Sequence, residues 1–164
     1  MTRILIIYTG GTIGMVQDQK TGVLVPFDFT QIRQNVPELL RLNYLIDVHS
    51  FDPAIDSSDM SPEIWIELAQ IIEENYKEYD GFVILHGSDT MAFTASALSF
   101  MLQGLAKPVI LTGSQLPIGE IRTDAKENLI TALEIAASKN SNGKANVPEV
   151  AIYFDYQLFR GNRA

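Results

Sequence analysis

The sequence predicts an α/β fold: a doubly wound, mostly parallel sheet with helices packed on both faces. Two observations carry this. Short, nearly continuous apolar runs recur along the chain, the pattern of strands buried on both faces. Segments with helical apolar spacing separate these runs, and strand–helix alternation is the signature of the α/β class.

The first run, Ile4 to Tyr8, reads as a buried strand ending at Thr9-Gly10-Gly11. Gly22 to Pro26 follows within a long connection and reads as a mobile loop or hairpin. Further strands are expected at Tyr44–Phe51, Phe82–Leu85, Pro108–Leu111 and Val150–Phe154. Ser61-Pro62-Glu63 combines a capping residue, a proline at the first helical position and an early acid. Trp65, Leu68, Ala69, Ile72 and Tyr76 then share one helix face. The segment Thr90–Leu102 is apolar nearly all round, so a deeply buried helix is expected there. Asp124 and Glu127 have the spacing of an acidic capping box ahead of a helix through Leu129–Ala137. The architecture is thus of the three-layer Rossmann or flavodoxin type, in which ligands bind beyond the carboxyl ends of the strands.

Composition narrows the function classes. The 164 residues suit one domain with a core of its own. There is no cysteine, which excludes disulfides and thiolate metal sites, and His49 and His86 are too few for a histidine-rich zinc centre. The net charge of −8 repels a phosphate backbone and disfavours nucleic acid as a partner. No apolar run approaches the length of a membrane span, and the stretch before Thr9 is too short for a signal-peptide core, so a cytoplasmic protein is expected.

Three strand ends are polar in a similar way: Thr9-Gly10-Gly11-Thr12-Ile13-Gly14, Asp56-Ser57-Ser58-Asp59 and His86-Gly87-Ser88-Asp89-Thr90. Glycines allow close backbone approach to a ligand, and hydroxyls beside free N–H groups can build an oxyanion site. Each has a plainer reading. Gly10 and Gly11 can make a tight turn, Thr12 can cap it, and Asp56 to Asp59 can be a solvated turn. Ser88 or Asp89 can be a helix N-cap. His86 suits a packed strand end better than a general base, and His49, within a strand, is given no functional role. The glycines match neither the dinucleotide fingerprint nor a P-loop, and no Gly-x-Ser-x-Gly elbow is present. Asp56, Asp59 and Asp89 have the spacing of no familiar cation loop, so neither a metal nor another cofactor is expected.

Taken together these blocks resemble one family. Tyr8-Thr9-Gly10-Gly11-Thr12-Ile13-Gly14-Met15 resembles the first signature of the asparaginase/glutaminase family, and His86-Gly87-Ser88-Asp89-Thr90-Met91 the second, where threonine usually stands at the place of Ser88. Asp56-Ser57-Ser58-Asp59-Met60 is similar to the substrate loop between them. Thr112-Gly113-Ser114-Gln115-Leu116-Pro117 and Arg122-Thr123-Asp124, with Asn128, resemble further blocks. Tyr79 to Gln115 is especially like the cytosolic, type I branch, and the likeness runs from Ile4 to Arg163.

The resemblance implies a mechanism and a setting. Thr12 would attack the side-chain amide of L-asparagine, giving an acyl-enzyme and ammonia, and water would then release L-aspartate. Ser88 and Asp89 match the family's second catalytic pair, which works with a lysine. Asp56, Ser57 and Ser58, with Ser88 and Asp89, would hold the substrate, Asp89 meeting its α-ammonium. The family lysine follows the Arg-Gly-Asn-Arg block, here Arg160 to Arg163, and so lies past Ala164; Lys144 is not in the matching place. Some members carry a catalytic tyrosine where Val23 stands. The resemblance implies that residues 1–164 form the N-terminal catalytic domain of a two-domain protein, truncated before a smaller C-terminal domain, and that the full-length protein is a homodimer or homotetramer whose neighbouring subunit completes the site. Alternatives are a glutamine-hydrolysing subunit of a tRNA-dependent amidotransferase, and an isolated domain without activity. L-Glutamine is the second substrate to consider, since one methylene is worth only about 1–3 kcal/mol in a pocket.

Overall fold

The structure, a computed structural model, describes residues 1–18, 20–26 and 36–164. The strands are β1 (Thr2–Gly10), β2 (Met15–Gln17), β3 (Leu24–Pro26), β4 (Tyr44–Ile55), β5 (Gly81–Leu85), β6 (Val109–Thr112), β7 (Val150–Phe154) and β8 (Gln157–Arg160); the α-helices are α1 (Pro62–Asn75), α2 (Met91–Met101) and α3 (Ala125–Ala137). The main sheet runs β4-β1-β5-β6-β7-β8. Its first five strands are parallel and only β8 is antiparallel, returning along β7. This is the doubly wound α/β arrangement expected. Counting the parallel strands alone, the order is 2-1-3-4-5, and the winding reverses between β1 and β5.

Alternation along the strands builds the two faces. Ile4, Ile6, Val83, Leu85, Ile110 and Ala151 point to one side, where Leu129, Ala132, Leu133 and Ala136 of α3 cover them. Leu5, Ile7, Phe82, Ile84, Val109, Leu111 and Ile152 point to the other, against Leu68, Ile71 and Ile72 of α1 and Ala95 and Leu98 of α2. Burying one such leucine or isoleucine stabilises the fold by about 1.5–3 kcal/mol, so these two clusters are its main support.

The expected strands are all present, with two differences. β4 runs on to Ile55, and as an edge strand it is covered less than the centre: Leu45 stays 42% exposed. β8 had no sequence signal. Asp155 and Tyr156 turn the chain with φ of 49° and 60°, a hairpin made without glycine at either position. Of the two readings of Gly22 to Pro26, a mobile loop or a hairpin, the structure gives the hairpin, β2 pairing antiparallel with β3.

Two helix expectations are corrected. α2 is not buried all round: Met91, Thr94, Ala95 and Leu98 are buried, but Phe93 and Phe100 are each 66% exposed. The sheet can cover only one side of a helix in an outer layer. The acidic capping box also does not form. Asp124 makes no cap hydrogen bond; its carboxylate instead accepts from the N–H groups of Gln115 (2.8 Å) and Leu116 (3.0 Å). Glu127 accepts from Thr131 one turn along, and the first N–H of the helix, at Ala125, donates to Thr123 Oγ1. The loop after β6 competes successfully for Asp124 because it brings two free donors to it.

Candidate active site

The reversal of winding leaves a crevice at the carboxyl ends of β1 and β5. The buried Thr9 ties these two ends together: its hydroxyl donates to the Leu85 carbonyl across the two strands (3.0 Å). After β1 the chain enters a single 3₁₀ turn at Thr12–Gly14, closed by Gly14 N–H on Gly11 O. Gly11 holds φ of 84°, a conformation that disfavours any residue with a Cβ. Behind the turn lies the ring of Tyr8, whose hydroxyl donates to Gly14 O (3.2 Å). A Cβ on Gly14 would collide with that ring. Burial pushes the Tyr8 hydroxyl up to about 12, so it stays protonated at neutral pH.

The second loop follows β4. Ser57–Asp59 form another 3₁₀ turn, capped by Asp56, whose Oδ1 accepts from Ser58 N (2.9 Å) and Ser58 Oγ (2.8 Å). These bonds, the backbone one first, hold the Asp56 carboxyl below the usual carboxylate range. The third loop follows β5. Ser88–Thr90 form a turn ahead of α2, and neither Ser88 nor Asp89 caps that helix; Thr90 stands at the N-cap position and sends its hydroxyl to Ser57 O (2.7 Å) instead. The capping explanation for Ser88 and Asp89 is therefore not the one the structure adopts, and both side chains are exposed.

The three loops meet backbone to backbone. A Cβ on Gly11 would sit 2.5 Å from Gly87 N, and one on Gly87 would strike Ser57 Oγ. Between them opens a cavity of about 370 Å³ lined by Thr12, Asp56, Ser57, Ser88 and Asp89, with Gly11 and Gly87 in the same wall. Its volume suits one amino acid and some water. Among the described residues, Ser58 is not in that wall; its hydroxyl is spent on Asp56. Tyr8, Met15, Leu24, Ala54 and Ile55 complete the lining. Sequence reasoning missed their contribution, since apolar residues at strand ends look like core. Leu24 is the exception that could have been found, because it lies in the segment after β1 read as a mobile loop or hairpin. Val23, in the place of the family tyrosine, is 60% exposed and is not among the lining residues.

Asp56 and Asp89 are the charged groups in the wall, and no lysine, arginine or histidine is among the described lining residues. The site therefore favours a cationic group, while the hydroxyls of Thr12, Ser57 and Ser88 offer donors to a carbonyl or carboxylate. Among the described residues no group of three or more His, Asp or Glu side chains is placed to hold a metal. His86 lies beneath the wall rather than in it: it is fully buried, and burial lowers its basicity.

A family model described as "Asparaginase, N-terminal" matches residues 3–164. The chain belongs to the asparaginase family. Over 161 residues it is 47% identical to L-asparaginase 1 of Escherichia coli strain K12, covering 98% of this chain and 46% of that protein. The crystal structure of L-asparaginase I from Vibrio cholerae superposes with a TM-score of 0.84 at 47% identity, covering 98% of this chain and 47% of that one. A glutamyl-tRNA(Gln) amidotransferase chain from Pyrococcus horikoshii is 39% identical over 137 residues, 82% of this chain and 31% of that protein. The chain spans about half the length of the asparaginases it matches. The family likeness is to hydrolases acting on amides, and the type I members give the fold match. Among the described residues no helix is long and apolar enough to cross a membrane.

Proposed function

We propose that the full-length protein hydrolyses L-asparagine to L-aspartate and ammonia through a covalent ester on Thr12. The observation that carries this reading is the shared cavity: the Thr12 turn, the Asp56–Ser57 turn and the Ser88–Asp89 pair, far apart in sequence, line one space at the switch point. Asp89 binds the α-ammonium, with Asp56 as the second anion in the wall. Ser57 and Ser88 donate to the α-carboxylate and to the reacting carboxamide. Thr12 Oγ attacks the side-chain carbonyl carbon, the C–N bond breaks, and the hydroxyl proton leaves with the nitrogen as ammonia. Water then splits the Thr12 ester, its hydroxyl going to the acyl carbon and one of its protons to Oγ. Threonine needs a base for the first step. Tyr8 is too weakly acidic and His86 too deeply buried to serve, and the family resemblance assigns that proton transfer to Ser88 working with a lysine. Because the described cavity wall has no such base, residues 1–164 by themselves are expected to turn over negligibly.

The test is ammonia release from L-asparagine by the full-length protein, wild type against Thr12→Ala. Loss of the nucleophile lowers kcat by at least about 10³-fold, as for nucleophiles of other acyl-transfer enzymes. Turnover persisting in Thr12→Ala removes Thr12 from the role. The likeness to the amidotransferase chain supports a second reading, release of ammonia from L-glutamine for a tRNA-linked acceptor. Co-purification with a partner protein and tRNA, and glutamine preferred over asparagine, would decide for it. The family resemblance also supports a cytoplasmic homodimer or homotetramer, to be read by fractionation and by light scattering.

A further inference from the structure

His86 takes no part in the steps above, yet both of its ring nitrogens are engaged. Nδ1 lies 2.6 Å from the Gly87 carbonyl oxygen and Nε2 lies 2.9 Å from Thr94 Oγ1. A carbonyl oxygen only accepts, so Nδ1 carries a proton; burial disfavours the charged ring, so His86 is neutral and Nε2 is a bare lone pair that the Thr94 hydroxyl fills. Thr94 Oγ1 accepts from Trp65 Nε1 (2.9 Å) and gives its own proton to Nε2, which can only accept. The chain therefore has one direction: Trp65 donates to Thr94, Thr94 to His86, and His86 to Gly87. His86 and Thr94 are fully buried, so no bulk water competes for these bonds.

The end of that chain is the junction of the three loops. Gly87 packs against Gly11 on one side and Ser57 on another. Peptide groups are planar and trans, so the carbonyl of Gly87 and the N–H of Ser88 point in opposite directions. With the carbonyl drawn inward by His86, the Ser88 N–H faces away from it, and the two side chains that follow enter the cavity.

We propose that His86 is a positioning residue for the amide hydrolysis argued above: its Nδ1–H, held in that tautomer by Thr94 and Trp65, fixes the Gly87–Ser88 peptide and so aims Ser88 and Asp89 at the substrate opposite Thr12. The proposal rests on the asparaginase reading for its effect on rate, but not for the hydrogen-bond direction. A histidine that merely fills space would be indifferent to tautomer and to the Thr94 hydroxyl.

The experiment uses the full-length protein and four variants: Thr94→Val, which keeps shape and loses the hydroxyl; Thr94→Ser, which restores it; His86→Asn, whose amide N–H can reach the place of Nδ1–H; and His86→Leu, which has no donor. Imidazole ¹⁵N resonances at neutral pH are expected to show His86 protonated at Nδ1 alone. Thr94→Val is expected to move the Ser88 and Asp89 amide resonances and to lower kcat for L-asparagine about 10- to 100-fold, the scale of a sub-ångström to ångström misplacement. Thr94→Ser should return both to near wild type, and His86→Asn should keep more activity than His86→Leu. An Nε2–H tautomer, or Ser88 amide resonances that Thr94→Val leaves in place, overturns the proposal whatever the substrate. Where the wild type is active, equal kcat in Thr94→Val and Thr94→Ser does so as well. A wild-type protein inert towards both amides, with the expected tautomer and amide shifts intact, sinks the asparaginase reading alone.

Discussion

Gly11 stands against the backbone of Gly87 at the junction of the first and third loops, with no room between them for a side-chain atom on Gly11. Their contact sets how close the Thr12 turn lies to the Ser88–Asp89 pair, and replacing each glycine tests it differently. Gly11→Ala combines a left-handed φ of 84° with a backbone collision, together about 2–5 kcal/mol. Gly87→Ala has an ordinary φ of −68°, and its Cβ would meet Ser57 Oγ and Ser57 Cβ, so the Ser57 turn must shift but no backbone strain is added. Thermal unfolding should rank Gly11→Ala as clearly the more damaging; the reverse order would mean that the loops do not meet as described.

The Tyr8 ring and the missing side chain of Gly14 form a second matched pair. Gly14→Ala is expected to destabilise by about 1–3 kcal/mol through overpacking against the ring. Tyr8→Phe keeps the ring and loses the bond to Gly14 O, costing about 1 kcal/mol. Because the ring remains, Tyr8→Phe should not rescue Gly14→Ala. Chemical denaturation of the two single variants and the double variant checks this, and a double variant as stable as Tyr8→Phe alone would contradict it.

Ser58 tunes Asp56. The folded carboxyl is held below its ordinary value, so the ionised form, and whatever it contributes, is present above the unfolded value and is lost as pH falls through the lower folded one. Ser58→Ala removes the hydroxyl donor and leaves the larger backbone contribution. Carboxyl ¹³C titration should therefore find Asp56 of the variant moved up part of the way towards an unperturbed aspartate. An unchanged midpoint would show that the Ser58 hydroxyl does not bond to it.

Asp124 lies outside the cavity but holds the loop after β6. Asp124→Ala strands the N–H groups of Gln115 and Leu116 and is expected to cost about 1.5 kcal/mol, the low end for hydrogen bonds to a charged group. Asp124→Asn retains one acceptor and should cost less. Amide hydrogen exchange at Gln115 and Leu116 reads the effect directly; protection in Asp124→Ala equal to wild type would refute it.

The five parallel strands, the three helices of the described residues and the three polar strand ends were legible from residues alone, because apolar period and turn chemistry are local properties. Even the hydroxyls at Thr12 and Ser88 stood out, set beside glycines at places where a parallel sheet binds ligands. Tertiary structure decided the rest. Periodicity tells which residues can be buried, not which neighbour buries them, so α2 looked enclosed while Phe93 and Phe100 face outward. Hydrogen-bonding residues choose among donors that folding brings to them, so Asp124 turned from its own helix to a loop, and Ser58 turned to Asp56. The hairpin at Asp155 and Tyr156 had no glycine to announce it. Above all, the strand order β4-β1-β5 came only from the fold, and it is that order which gathers positions 12, 56–57 and 88–89 around one cavity.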